Sequence, residues 1–165
     1  METLSVHPKP RPILLTVLCV LTFIGSGFGV FGNLMAMFAA PFLEFFQASM
    51  LDEAYNQLGN NPGDQFVKQS LDMAVLTIDN FLGITLSKFI FYAISLTGAI
   101  MMFQMKKIGF YLYVAAQVGF LFIGPVFLGW NMFVSTAMFF SGFFSILFIA
   151  LYAINLKHMS QTNFK

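Results

Sequence analysis

Four long apolar runs constrain this chain more than any other feature of its sequence. They are Ile13–Phe42, Phe81–Phe103, Ile108–Leu128 and Met132–Leu156. A helix needs roughly 20 apolar residues to cross the hydrocarbon core of a bilayer, and each run is long enough to do so. At about 1.5 Å per residue the first run would extend about 45 Å, so we expect its last turns to stand outside the lipid.

The composition agrees with a lipid environment. Hydrophobic residues make up 58% of the 165 positions and charged residues only 9%, which is more apolar surface than one small soluble core can hide. The net charge of +1 gives no general reason to bind nucleic acid. We therefore predict an all-α fold, an integral membrane four-helix bundle that forms a single membrane domain over residues 1–165.

The first run has two competing interpretations, a retained span and a cleaved signal peptide. Lys9 and Arg11 precede it, as they would in a signal peptide, but the apolar region is much longer than the usual 7–15 residues or so. We expect it to be retained as a span. Cys19, the single cysteine, has no second cysteine for an internal disulfide and is expected to be a small buried apolar residue.

The charged residues outside the runs predict the orientation. Basic residues near span ends stay on the cytoplasmic side of a membrane. They lie before the first run, between the second and third, and after the fourth: Lys9, Arg11, Lys106, Lys107, Lys157 and Lys165. The other side receives mainly acidic residues: Glu44, Asp52, Glu53, Asp64, Asp72 and Asp79. We predict a multi-pass protein of the inner (plasma) membrane with both termini cytoplasmic.

Residues 43–80 form the one sizeable segment outside the runs. Apolar residues recur at helical spacing on both sides of the turn sequence GNNPGD, and Asp64 is placed to cap the second helix. The spacing predicts an extramembrane helical hairpin between the first and second spans. Its apolar stripe has two possible partners, the outer ends of the spans or the membrane surface.

Four small residues define one face of the first span. Gly25, Gly29, Gly32 and Ala36 follow one another at intervals of three or four residues. Small residues at this spacing let two helix backbones approach closely, so we predict a helix-packing groove. The alternative is a glycine hinge beside a substrate site, as transporters use, although no proline accompanies it between residues 13 and 40.

Three polar residues within the apolar runs have positions that need an explanation. Asn33 is about 30 Å from the start of the first span, near the outer hydrocarbon boundary, and Lys88 lies at a similar height. We expect Lys88 to anchor its helix by reaching outer water; pairing with Glu44 or Asn33 and a position on a substrate path are the alternatives. Gln117 lies deeper, and we expect it to form an interhelical hydrogen bond.

Residue sets for familiar catalysis are missing from the sequence. No Asp or Glu lies in the interior of an apolar run, so an ion-coupled antiporter has no membrane carboxylate. There is no CxxC or HExxH motif, no phosphate-binding glycine loop, and no ligand spacing between His7 and His158. We predict a protein that is not an enzyme, with no catalytic residues, no cofactor and no metal site.

Two stretches resemble small, uncharacterised bacterial inner-membrane proteins with four predicted spans. They are PRPILLTVLCVLTFIGSGFG at residues 10–29 and KKIGFYLYVAAQ at residues 106–117. The resemblance implies a bacterial inner-membrane setting and transfers no functional residue, because those proteins have no assigned activity.

Two functional hypotheses follow from these residues. The first is a non-enzymatic protein that scaffolds or modulates a partner, either another membrane protein or a second copy of the chain, within the lipid bilayer. The alternative is a small transporter or channel component whose path is lined by Asn33, Lys88 and Gln117. A water-filled cavity joining these three side chains favours the alternative, and a dry core favours the first hypothesis.

Overall fold

The computed structural model describes residues 12–59 and 61–159, apart from the side chains of residues 43–49, 52 and 158. This part of the chain is all-helical and contains no strand. Asn60, the charged residues Lys9, Arg11 and Lys165, and the side chains of Glu44, Asp52 and His158 therefore lie outside the described residues, as does His7. The helices are α1 (Ile13–Asn56), α2 (Pro62–Asp79), α3 (Phe81–Phe103), α4 (Ile108–Leu128) and α5 (Met132–Asn155), followed by a 3₁₀ turn at Leu156–His158.

Four helical segments are long and apolar enough to cross a membrane. They cover Ile13–Phe42, Phe81–Phe103, Ile108–Leu128 and Met132–Asn155. The first three have the predicted limits. The fourth ends one residue earlier than predicted, because the backbone tightens into the 3₁₀ turn at Leu156. These segments support a multi-pass membrane protein.

The helix α1 continues without interruption from the first span into the predicted hairpin. Its 44 residues include Pro41, which has no N–H to donate to the carbonyl of Met37. The helix persists because a proline removes one hydrogen bond while the flanking turns keep theirs. The span and the first hairpin helix, which the sequence treats as separate elements, are one rod about 66 Å long at about 1.5 Å per residue.

The second helix starts two residues before the predicted cap. Asn61 is the N-cap and Pro62 is the first helical residue, where its fixed φ is suitable and its missing N–H costs nothing. Asp64 takes part in capping this helix, as predicted, but from the third helical position rather than from the N-cap position. Asp64 lies within the first turn, and its carboxylate accepts a hydrogen bond from the Asn61 N–H at 3.3 Å. Such a reciprocal contact still satisfies a backbone donor at the helix start.

The helix α3 lies between α1 and α4 and makes the most extensive packing with both. Its closest approach is to α4, where Gly98 and Gly109 face each other. A Cβ added at Gly98 would lie 2.8 Å from the Gly109 carbonyl oxygen and 2.9 Å from the Tyr113 nitrogen. Only glycine leaves room for two backbones at this distance. The helix α5 packs less extensively, mainly against α4 and then α1.

Two tight turns define the ends of the α3–α4–α5 unit. The α3–α4 turn is a Schellman motif, in which the N–H groups of Met105 and Lys106 donate to the carbonyls of Met102 and Met101, both at 2.9 Å. Met105 adopts the left-handed conformation there, with φ 64°. We call this side of the molecule the Lys106 end. The α4–α5 turn contains Trp130, and we call the opposite side the Trp130 end.

The buried core is concentrated at the Lys106 end. It combines residues from the start of α1, the end of α3, the start of α4, the end of α5 and the segment after the 3₁₀ turn: Leu15, Leu18, Cys19, Ala99, Met102, Tyr113, Tyr152 and Met159. Cys19 is fully buried, as its apolar neighbours predict. At the Trp130 end the helices enclose cavities instead, and α2 lies over them.

Candidate functional site

Small hydroxyl groups join α1 to its neighbours inside the helix assembly. Thr22 and Tyr152 share a hydrogen bond of 2.8 Å between α1 and α5, and Ser26 and Ser95 share one of 3.0 Å between α1 and α3. Each pair satisfies buried polar atoms that would otherwise be costly in an apolar interior. Among the described residues, no buried side-chain nitrogen or oxygen is left without a partner.

Gln117 forms the interhelical hydrogen bond that the sequence predicts. Its Oε1 accepts from the Ser145 hydroxyl at 2.8 Å, which joins α4 to α5. This bond uses the carbonyl half of the amide, so the NH₂ group keeps its donors for other acceptors. Gln117 and Ser145 also line a cavity of about 430 Å³, together with Ser26 and Ser95. The cavity lining is therefore uncharged and rich in hydrogen-bonding groups.

Lys88 belongs to a different cavity, of about 340 Å³, near the Trp130 end. The residue is exposed, and it lies seven positions after Phe81, or about 10 Å along α3. The remaining lining is apolar apart from Ser141, whose hydroxyl donates to the Met138 carbonyl at 3.3 Å. Among the described residues, the lining contains no carboxylate, and Lys88 supplies its one charge.

Asn33 lines neither of these cavities. Its side-chain amide donates to the Gly29 carbonyl at 2.7 Å, one turn back on the same helix. Neither cavity joins Asn33, Lys88 and Gln117, which the transporter hypothesis required to share one path. Pairing of Lys88 with Glu44 involves a side chain outside the described residues, so it stays an alternative.

The small-residue groove of α1 has a close neighbour at one of its glycines. A Cβ added at Gly29 would lie 2.5–2.6 Å from the ring of Tyr92 in α3. At Gly25 and Gly32 the added atom would meet nothing within 4 Å, and Ala36 is half-buried. The glycine here accepts an aromatic side chain rather than a second backbone. The backbone-to-backbone contact belongs to Gly98 and Gly109, which the sequence analysis did not single out.

The helix α2 is attached to the rest of the molecule by a few polar and aromatic contacts. The Tyr55 hydroxyl in α1 donates to the Asp72 carboxylate at 2.6 Å. The Asn131 amide approaches the Met73 sulfur at 3.0 Å, and the rings of Phe66 and Phe133 are 5.5 Å apart. The Asp72 carboxylate raises the pKa of Tyr55, first by accepting its hydrogen bond and then through desolvation and charge repulsion.

The described residues contain no group of three His, Cys, Asp or Glu side chains able to hold a metal ion. Few side chains around the two cavities could act as an acid or a base. The described residues of their linings carry one lysine, tyrosine hydroxyls, serine and threonine hydroxyls, and one amide. The geometry suits recognition of neutral or singly charged molecules and helix–helix contact.

No protein-family model, curated protein or solved structure matches this chain. The functional argument therefore depends on the chain's own residues.

Proposed function

We propose that the chain is a multi-pass protein of the inner (plasma) membrane with both termini cytoplasmic. In this proposal its four spans form a helical bundle, and the last turns of α1 form an extramembrane hairpin with α2. The protein is not an enzyme. It scaffolds or modulates a membrane partner, either another protein or a second copy of the chain, through this hairpin.

The main observation behind the proposal is that the rest of the chain leaves the apolar residues of α2 exposed. Every residue of α2 is described and none is buried, although the helix contains several large apolar side chains. Phe66 is 58% exposed, and Val67 and Leu76 are more than 40% exposed. Uncovered apolar residues on a helix outside the hydrocarbon mark a contact surface, either for protein or for the membrane surface, and we favour protein here. The acidic residues Asp72 and Asp79 give that surface a charged rim.

Site-specific photocrosslinking tests the partner contact. A photoreactive amino acid is placed at Val67 on α2 and, as a matched control, at Thr136, an exposed position on α5. In membranes of the native host we expect a discrete protein adduct from position 67 and lipid adducts from position 136. A protein adduct from position 136 alone would place the partner against the spans and contradict the hairpin contact.

Thiol labelling tests the proposed orientation. In a Cys19→Ala background, Trp130→Cys is expected to react with an impermeant thiol reagent in intact cells, because the α4–α5 turn faces outward. Lys106→Cys is expected to react only after the membrane is permeabilised. The reverse pattern would place the termini outside.

A small transporter or channel component is the second candidate, and the polar cavity around Gln117 favours it. This space of about 430 Å³ is large enough for a small solute and lies among side chains from four helices. Flux of neutral solutes into proteoliposomes tests this role. Uptake that Gln117→Leu abolishes, while the exposed control Gln104→Leu retains it, would support transport over scaffolding.

A further inference from the structure

A mostly apolar cavity at the Trp130 end carries one positive charge. It lies between α3, α4 and α5, has a volume of about 340 Å³, and includes Met73 of α2. Its walls are formed by aromatic and aliphatic side chains, among them Ile84, Phe120, Leu121, Val134 and Met138. Of the described residues that form this lining, Lys88 is the one that carries a charge.

The position of Lys88 makes that charge costly without a counterion. Its backbone lies about 10 Å from the start of its helix, toward the outer boundary of the hydrocarbon, so the ammonium is close to lipid unless the side chain reaches water. A buried or lipid-facing ammonium is stabilised by an anion or by reaching water. Apart from Lys88 and the Ser141 hydroxyl, the described residues of the lining are apolar and supply no negative charge.

The cavity is accessible from the side. Lys88 in α3 and two residues of α5, Ala137 and Ser141, line it and are all exposed. The helix α3 packs mainly against α1 and α4, and α5 packs mainly against α4, so α3 and α5 make little contact with each other. A molecule dissolved in the lipid therefore reaches the cavity between α3 and α5 without passing through the helix assembly.

We propose that this cavity binds a long-chain fatty acid, with the carboxylate at Lys88 and the alkyl chain against the apolar wall. One ammonium matches one carboxylate, and the lining gives the chain aliphatic and aromatic contacts. The volume lies at the lower end of the range of ligand sites, about 300–1,000 Å³, which suits one alkyl chain better than two. This site goes beyond the proposed partner contact and does not depend on it.

Photolabelling with a fatty acid tests the proposal. The full chain is placed in nanodiscs of zwitterionic phosphatidylcholine and exposed to a palmitate analogue that carries a diazirine on its chain. We expect adducts within residues 133–141 of α5. Unlabelled palmitate should displace the label, whereas hexadecanol, which has the same chain and no charge, should not displace it at the same concentration.

Two classes of variant separate the charge from the apolar wall. Lys88→Met should lower labelling about tenfold, and Lys88→Arg should retain it, because a charge-assisted hydrogen bond is lost only in the first. Ala137→Phe should remove labelling by filling the cavity while Lys88 stays in place. Lys68→Met, on α2, is the matched control for loss of a lysine and should label like the natural chain.

Three results would overturn the proposal. Equal displacement by hexadecanol and palmitate would mean that the carboxylate is not recognised. Undiminished labelling in Ala137→Phe would place the analogue outside the cavity. Displacement by phosphatidylglycerol but not by palmitate would assign the site to a two-chain anionic lipid. Circular dichroism verifies that Ala137→Phe and Lys88→Met are folded. If one of the two variants does not fold, the other still tests the site.

Discussion

The Lys106 end and the Trp130 end of the molecule are built from equally apolar helices but are packed in different ways. At the Lys106 end, Ala99, Met102 and Tyr152 are fully buried. At the Trp130 end the same helices surround a cavity, with Ile84, Ile123 and Val134 buried beside it, and α2 contributes no buried residue. Hydropathy is therefore a poor guide to which part of a membrane helix is packed against protein and which part is open to ligands or lipid.

The size of the residues at the contacts explains the difference. At the Lys106 end, Gly98 and Gly109 bring two backbones together, and the surrounding side chains interlock around them. At the Trp130 end, Gly83 accepts the ring of Phe127 instead, with an added Cβ only 2.6 Å from the ring. An aromatic ring between two helices holds their backbones apart, which leaves irregular space beside it.

Replacing Gly98 by Leu should have the largest effect. The new side chain would meet backbone atoms of Gly109 and Tyr113, which cannot move without separating α3 from α4. We expect a loss of about 3 kcal/mol or more in unfolding free energy. Gly29→Leu should cost less, because the Tyr92 side chain can rotate away. Gly25→Leu, with nothing within 4 Å, is the control and should be nearly neutral.

These three variants are compared by reversible unfolding in detergent micelles. The expected order of stability is Gly25→Leu, then Gly29→Leu, then Gly98→Leu. Equal losses for Gly25→Leu and Gly98→Leu would contradict the packing at the Lys106 end.

A matched pair of methionines sharpens the comparison of the two ends. Met102 is fully buried in the core cluster, whereas Met138 lines the Lys88 cavity. Met102→Ala should cost about 2–5 kcal/mol of unfolding free energy, because it opens a hole in close-packed surroundings. Met138→Ala enlarges an existing cavity and should cost less than about 1 kcal/mol. A larger loss for Met138→Ala would mean that the Trp130 end holds the fold together.

The smallest effect is expected where α1 meets α2. Asp72 raises the pKa of Tyr55, so the neutral phenol is favoured by the folded contact. The contact is therefore complete below the ordinary tyrosine pKa of about 10 and is lost as the pH rises past the raised value. Asp72→Asn should shift the titration of Tyr55 to lower pH. The tyrosinate absorbance of each protein is measured against a Tyr55→Phe version, and an unchanged titration would exclude the contact.

The apolar runs predicted the helices well because hydropathy and length are local properties of the chain. The limits of three of the four spans follow directly from them. The interhelical bond of Gln117 was also predictable, since a deep amide needs a partner. The course of α1 through Pro41 was less predictable, because one proline reduces helix stability without always ending the helix.

The tertiary contacts were harder to predict because they depend on how helices rotate against each other. The sequence marks Gly25, Gly29 and Gly32 as a groove, yet only Gly29 has a close neighbour. The tightest contact, between Gly98 and Gly109, lies beside a shorter run of small residues in α3, Ser95, Gly98 and Ala99, which are all buried. Likewise, no sequence feature places Lys88 in a cavity with residues of α5, which lie 45 or more positions away. A lysine near the end of a span that only reaches water would have the same surrounding sequence.

The central claim is that the helices are held at fixed distances at the Lys106 end and at variable distances at the Trp130 end. Distances between spin labels at the two ends test this claim most directly. In a Cys19→Ala background, one labelled pair joins α3 to α5 at the Lys106 end, through Ile100→Cys and Ile154→Cys. A second pair joins them at the Trp130 end, through Leu82→Cys and Thr136→Cys. All four positions are exposed, so the labels do not disturb the core. Pulsed electron paramagnetic resonance in nanodiscs should give a narrow distance distribution for the first pair and a clearly broader distribution for the second. Equally narrow distributions at both ends, or a broader one at the Lys106 end, would contradict the account.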